Sequence, residues 1–121
     1  MTSPARPPLT AAEVCDAFAA AAEHLREVAK AVDAINVYPV PDGDTGSNMA
    51  ATMREAVDAT LTLGPEATVA EVLQGLARGA LYGARGNSGV ILSQGLMGLA
   101  QGAGDSVTLD ARSLSAGLER A

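Results

Sequence analysis

Two carboxylates separated by a glycine, Asp42-Gly43-Asp44, sit in a loop that Pro39 and Pro41 stiffen. Carboxylates crowded in this way repel unless a positive charge lies between them. A hard cation with oxygen ligands relieves that repulsion, and Mg²⁺ commonly takes one or two carboxylates together with phosphate oxygens. The loop, Asn36 to Met49, runs straight into a helical pattern. Free N–H groups and the dipole at a helix start favour an anion, so metal ligands and a phosphate seat are adjacent in the chain. An ordinary polar surface turn also accounts for Asp-Gly and Thr-Gly pairs. Two sharper alternatives fail on spacing. An EF-hand needs an oxygen ligand at position 46 and Glu at 53, where the chain has Gly46 and Met53. A dehalogenase-type Asp-x-Asp-x-Thr motif follows a buried strand, but Thr45 comes one place early and the prolines spoil the strand.

A second stretch, Gly83-Ala84-Arg85-Gly86-Asn87-Ser88-Gly89-Val90-Ile91-Leu92-Ser93-Gln94, spaces glycines every third residue and then opens a helix. Glycine lets backbone N–H groups approach a ligand closely. Asn87 and Ser88 add side-chain hydrogen bonds there. The Gly-Lys-Ser/Thr ending of a P-loop is absent. A tight helix–helix turn capped by Asn or Ser explains the same composition. The Gly75, Gly79, Gly83 ladder reads as close helix packing.

The elements that position these loops are helical. Alanine supplies 25 residues, and there are one Phe, two Tyr and no Trp. Strands draw on β-branched and aromatic residues, so a β sandwich or barrel is excluded. Met1 to Leu9 is Pro-rich and predicts a disordered lead-in before a domain spanning 10–121. Thr10-Ala11-Ala12-Glu13 is a capping box. Behind it Val14, Phe18, Ala21, Leu25, Val28, Val32 and Ile35 form a helical stripe. A second helix is predicted over about Ser47–Leu63, with Met49, Met53, Val57 and Leu61 on one face. Thr68-Val69-Ala70-Glu71 opens a third, with Val69, Val72, Leu73 and Leu76 inward, ending at Gly83. A fourth covers about Asn87–Ala100. Thr108 or Asp110 caps a fifth, which carries Leu109, Leu114 and Leu118. The starts of the second and fourth helices are expected at one end of an antiparallel bundle. The fifth pattern shows no stop signal before Ala121, so a fragment of a larger domain is the expectation.

Net charge is −6, with one Lys (Lys30) and seven scattered Arg, which argues against a nucleic-acid partner. An anionic ligand therefore needs metal or aimed N–H groups. No run is long enough to span a bilayer, and no secretory signal precedes Thr10. Cys15 reads as a small buried hydrophobe in a reducing cytoplasm. His24, on neither loop, receives no role.

Asn-Val-Tyr-Pro-Val-Pro-Asp-Gly-Asp-Thr-Gly-Ser-Asn-Met and Gly-Ala-Arg-Gly-Asn-Ser-Gly-Val-Ile-Leu-Ser-Gln resemble the two signature loops of the DhaL-type nucleotide-binding domain. This is the helical domain of dihydroxyacetone kinases and the N-terminal domain of bacterial fatty acid kinases, and the wording is closer to the latter. The resemblance covers about Thr10 to Ala121. It implies an all-α antiparallel barrel of eight helices, of which about five are present here, binding ATP through Mg²⁺ at one end. By that pattern Asp42 and Asp44 are the metal carboxylates. The dihydroxyacetone kinases place a third Asp where this chain has Val37; Asn36 is the first substitute and Asp33 the weaker one. Thr45 stands where those kinases have His. Thr45, Asn48, Asn87, Ser88 and Gly89 match positions that line the nucleotide phosphates.

The function implied is delivery of the ATP γ-phosphate to an acceptor carried by another domain or protein. In the fatty acid branch the acceptor is a fatty acid carboxylate on a separate binding protein, and the product is an acyl phosphate. Neutralisation falls mainly to metal, with Arg85 either adding a charge or covering a helix end. No residue resembles an acceptor-side base, so none is assigned as catalytic and the fragment alone is expected to be inactive. A triose-kinase nucleotide subunit is the alternative, and a helical regulatory module without catalysis is the third reading.

Overall fold

The computed structural model describes residues 8–35, 44–104 and 111–120. The architecture is an all-α bundle of five helices: α1 (Ala11–Ala34), α2 (Thr45–Thr60), α3 (Val69–Gly83), α4 (Gly86–Ala103) and α5 (Ala111–Arg120). Each helix packs on the next in the chain, and α2 also meets α4. The predicted starts of α1 and α3 hold. Thr10 Oγ1 accepts from Glu13 N, and the Glu13 carboxylate accepts from Thr10 N at 3.1 Å, completing the box. At α3, Thr68 Oγ1 accepts from Glu71 N, but Glu71 returns to the Thr68 hydroxyl rather than its amide.

The core gathers on α3 and α4. Val69, Val72, Leu73, Leu76, Ala77 and Ala80 of α3 are buried against Leu96, Leu99, Ala100 and Ala103 of α4, with Met53 and Ala56 of α2 and Val14 of α1. All four inward residues predicted for α3 lie in this cluster.

The glycine ladder is a packing seam for two of its members. A methyl at Gly79 would sit 2.6 Å from both Ala59 Cβ and the Glu55 carbonyl oxygen, and one at Gly83 would meet the Glu55 side chain. Gly75 faces Thr60 at ordinary contact distance. Pairing 75 with 60 and 83 with 55 makes α2 and α3 antiparallel. The small residues let the two backbones approach closely, and overfilling such a seam forces them apart.

The stripes of α1 and α2 are corrected. In α1, Ala21 and Ile35 are exposed, while Ala22 and Ala29 face inward. In α2 the buried set is Gly46, Thr52, Met53, Ala56 and Thr60, and Leu61 is exposed. The reason is position. With α1, α3 and α4 all packed on it, α2 buries small and hydroxyl-bearing residues on more than one side, so one apolar stripe does not mark its inner face. The hydroxyls of Thr52, Thr60 and Ser93 are buried because each donates to a carbonyl of its own helix, at Asn48, Val57 and Val90.

Ile91 and Leu118 remain exposed along a groove of about 530 Å³ that Met49, Leu92, Leu96 and Leu99 also line. Cys15 is half-buried against the core, as a small hydrophobe would be. No helix among the described residues is long and apolar enough to cross a membrane. The lead-in expected over 1–9 falls largely outside the described residues, as do the proposed caps Thr108 and Asp110.

Candidate functional site

The starts of α2 and α4 meet. Ser88 Oγ, in the first turn of α4, donates to the Thr45 carbonyl in the first turn of α2 at 3.2 Å. About two turns further along α2, Arg85 N donates to Thr52 Oγ1 at 3.1 Å. The starts of α2 and α4 are thus at one end of the bundle, as expected of an antiparallel arrangement. Close approach here depends on glycine. Gly86 has φ +66°, a conformation that costs other residues about 1–2 kcal/mol. A methyl on Gly86 would also strike the Asn48 amide, and one on Gly89 would strike the Thr52 hydroxyl.

The two helix starts are not equivalent. At α2, Ser47 N donates to Asp33 Oδ1 at 3.1 Å, and Ser47 Oγ donates to Asp33 Oδ2. The Gly46 amide also supports this carboxylate. Asp33, at the end of α1, therefore serves as the anion at the start of α2, and the phosphate seat expected there is filled by the chain itself. At α4 no side chain caps the first turn. Gly89 N returns to the Arg85 carbonyl, and the amides before it belong to the turn that lacks intrahelical partners. Among the described residues, the helix start without a side-chain cap is that of α4.

Hydrogen bonds from Ser47 hold the Asp33 carboxyl below its ordinary value. A depressed folded value means that the contribution is complete above the ordinary carboxylate range and fades as pH falls through the folded value. Asp33→Asn is expected to lower the melting temperature at pH 7 and to have less effect at pH 3. A difference between wild type and variant that stays constant across that range counts against the assignment.

The site residues read from the sequence fall into two groups. Thr45, Asn48, Ser88 and Gly89 lie together at the junction, and Asn87 is exposed beside them. Asp44 is the half-buried N-cap residue of α2; its carbonyl accepts from Asn48 N at 2.8 Å, and its side chain does not cap the helix. Asp42 and Asn36 lie outside the described residues, as does Val37. Among the described residues no three His, Cys, Asp or Glu side chains form a metal-sized group. Asp33, the weaker candidate for a third ligand, has both oxygens engaged with Ser47. Arg85 is exposed and lines a cleft of about 710 Å³ along α1 and α2, with Arg26 and Arg54. His24 is exposed on α1.

Sequence reasoning missed Thr52. Its signal was present: a hydroxyl residue four places after Asn48, on the same helical face, flanked by Ala50, Ala51 and Met53. It also missed that Asp33 closes the start of α2, because the two partners belong to different helices.

The family model for the DAK2 domain matches residues 39–121. An uncharacterized protein of Staphylococcus saprophyticus is 44% identical over 107 residues, covering 83% of this chain and 19% of that protein. Protein YloV of Bacillus subtilis is 41% identical over 100 residues, 83% of this chain and 18% of its own length. An uncharacterized Staphylococcus aureus protein is 51% identical over 76 residues, 60% of this chain and 13% of its own length. The chain thus spans about a fifth of the length of the first two curated relatives it matches.

Proposed function

Because the chain belongs to the DAK2 domain family, a kinase-associated family, we propose that it is part of an Mg–ATP-binding phosphotransferase domain. The observation that carries this reading is the junction of the α2 and α4 starts, the second without a side-chain cap from its N-cap residue. The α2 start, into which the acidic sequence leads, and the α4 amides then serve one triphosphate.

In this reading Asp42 and Asp44 hold Mg²⁺, with the Asn36 amide as a further oxygen ligand. Bound there, the metal neutralises phosphate charge on a chain whose own charge is −6. The donor set fits, since Asp44 is a carboxylate at the α2 start, next to Thr45, whose carbonyl meets Ser88 of α4. Asn87 and Ser88 take the phosphates with their side chains and first-turn amides, Gly89 leaves room beside them, and Thr45 and Asn48 supply oxygen and amide groups from the α2 side. Arg85 adds positive charge at the same end. Rate enhancement comes from positioning and charge stabilisation, with no P-loop lysine.

The acceptor we propose is a fatty acid carboxylate presented by a separate binding protein. One P–O bond to ADP breaks, one P–O bond to the carboxylate oxygen forms, and the product is an acyl phosphate. Thr45, where triose kinases carry His, supports this acceptor over dihydroxyacetone. The domain would act in the cytoplasm, as one part of a longer protein. Its relatives' length leaves room for acceptor-side functions elsewhere.

Calorimetric titration with ATP, with and without Mg²⁺, tests the nucleotide reading. The expected result is binding that requires Mg²⁺. Equal binding without metal, or none with it, overturns the proposal. Phosphoryl transfer to a protein-bound fatty acid rather than to dihydroxyacetone tests the acceptor.

A further inference from the structure

Thr52 is fully buried, at 0% exposure, in the middle of α2. Threonine is a weaker helix former than alanine, and a buried hydroxyl must be hydrogen-bonded to be tolerated. Its hydrogen goes to the Asn48 carbonyl at 2.8 Å, a contact that any threonine can make within its own helix. The second contact is different in kind. The hydroxyl oxygen accepts from Arg85 N, 33 residues away, at 3.1 Å. Arg85 is the N-cap residue of α4.

The Arg85 amide precedes the first-turn amides that lack intrahelical partners. Anchoring it sets where the α4 start lies without consuming those donors. Ser88 Oγ to the Thr45 carbonyl is a second anchor, two turns away along α2. Two anchors at different heights on one helix prevent the α4 start from sliding or tilting. Gly86 and Gly89 carry no side chain that would hold the helices apart. A methyl on Gly89 would occupy the space of the Thr52 hydroxyl itself.

We propose that Thr52 is a positioning residue of the nucleotide site. Its hydroxyl ties the α2 helix to the glycine loop that opens α4, and so fixes where the phosphate-binding amides of α4 lie relative to the α2 start. This inference rests on the Mg–ATP reading above. Thr52 touches neither metal nor nucleotide; it acts through Arg85 N and the α4 start.

The test uses the full chain with Thr52→Val and Thr52→Ser, measured well below their melting temperatures. Valine keeps the shape and removes the acceptor, leaving the Arg85 amide unpaired. Mg–ATP affinity is expected to fall by about tenfold, the scale of one lost buried hydrogen bond. Binding of Mn²⁺ alone, followed by electron paramagnetic resonance, is expected to stay within about twofold, since the acidic loop is intact. Hydrogen exchange at the Arg85 amide should accelerate in Thr52→Val. Thr52→Ser should restore affinity and protection. Should the valine variant fail to fold, Thr52→Cys, which keeps a weak acceptor, carries the same comparison, with a smaller loss.

Unchanged Mg–ATP affinity in the valine variant overturns the positioning role while leaving the nucleotide reading intact. Equal losses for Mn²⁺ and Mg–ATP also overturn it, because they indicate general damage to the fold. Failure of serine to rescue assigns the effect to the methyl group and again overturns it. A wild-type chain that takes up no Mg–ATP overturns both proposals together.

Discussion

Asp44→Asn is expected to lower Mg²⁺-dependent ATP affinity by about a hundredfold or more, with little change in melting temperature. The magnitude follows from metal-site chemistry. Losing even an outer-shell partner of a metal ligand costs about 10–100-fold in affinity, and losing a direct carboxylate costs at least as much. Stability should hold because Asn is as good at a helix N-cap as Asp. The Asp44 carbonyl, which accepts from Asn48 N, is unaffected by the change. Asp42→Asn should behave in the same way. Asp16→Asn, an exposed acid on α1, is the control for loss of one negative charge, and it should leave affinity within about twofold. Calorimetric titration of the three variants distinguishes the cases. Wild-type affinity in both Asp42→Asn and Asp44→Asn would falsify the metal assignment. Equal loss in all three would reduce the effect to general electrostatics.

Leu76→Ala is expected to destabilise the fold by about 2–5 kcal/mol, the range for a buried leucine truncated in a core that relaxes only in part. Leu76 is 1% exposed, on a helix that packs against both α2 and α4. A chain of this size has about 5–15 kcal/mol in total, so the variant loses a large fraction of its stability. Leu61→Ala is the matched comparison. Leu61 is 74% exposed at the end of α2, and its replacement should change stability by no more than about 0.5 kcal/mol. Denaturant unfolding of both variants measures the two costs on one scale. Similar costs would mean that the α2 end is packed in solution. A small cost at Leu76 would mean that the core is not centred on α3.

These two leucines show where the sequence was legible. Both lie on apolar stripes with helical spacing, and periodicity alone ranks them together. The α3 stripe succeeded because α3 has one face toward its neighbours and one toward solvent. The α2 stripe held at Met53 and Val57 but not at Leu61; three helices pack on α2, so Thr52 and Gly46 also go inside while Leu61 stays out. The α1 stripe failed by one position at Ala21 and Ala22, where side chains are too small for hydropathy to distinguish faces. At the site, the sequence anticipated that the starts of α2 and α4 share one end of the bundle. It did not show that Asp33 bonds Ser47 at the α2 start, because that contact joins two helices.

The chain's own sequence determined where helices begin, which loops carry oxygen and amide groups, and that the fold is all-α. These properties are local: a threonine cap, a proline break or a glycine turn acts within a few residues of itself. Only the tertiary structure decided that Asp33 bonds the start of α2 and that the buried Thr52 hydroxyl accepts from Arg85. The deciding contacts, Asp33 with Ser47 and Thr52 with Arg85, join residues 14 and 33 positions apart. Their formation depends on how helices dock, and the residue pattern within each helix contains no record of its partner.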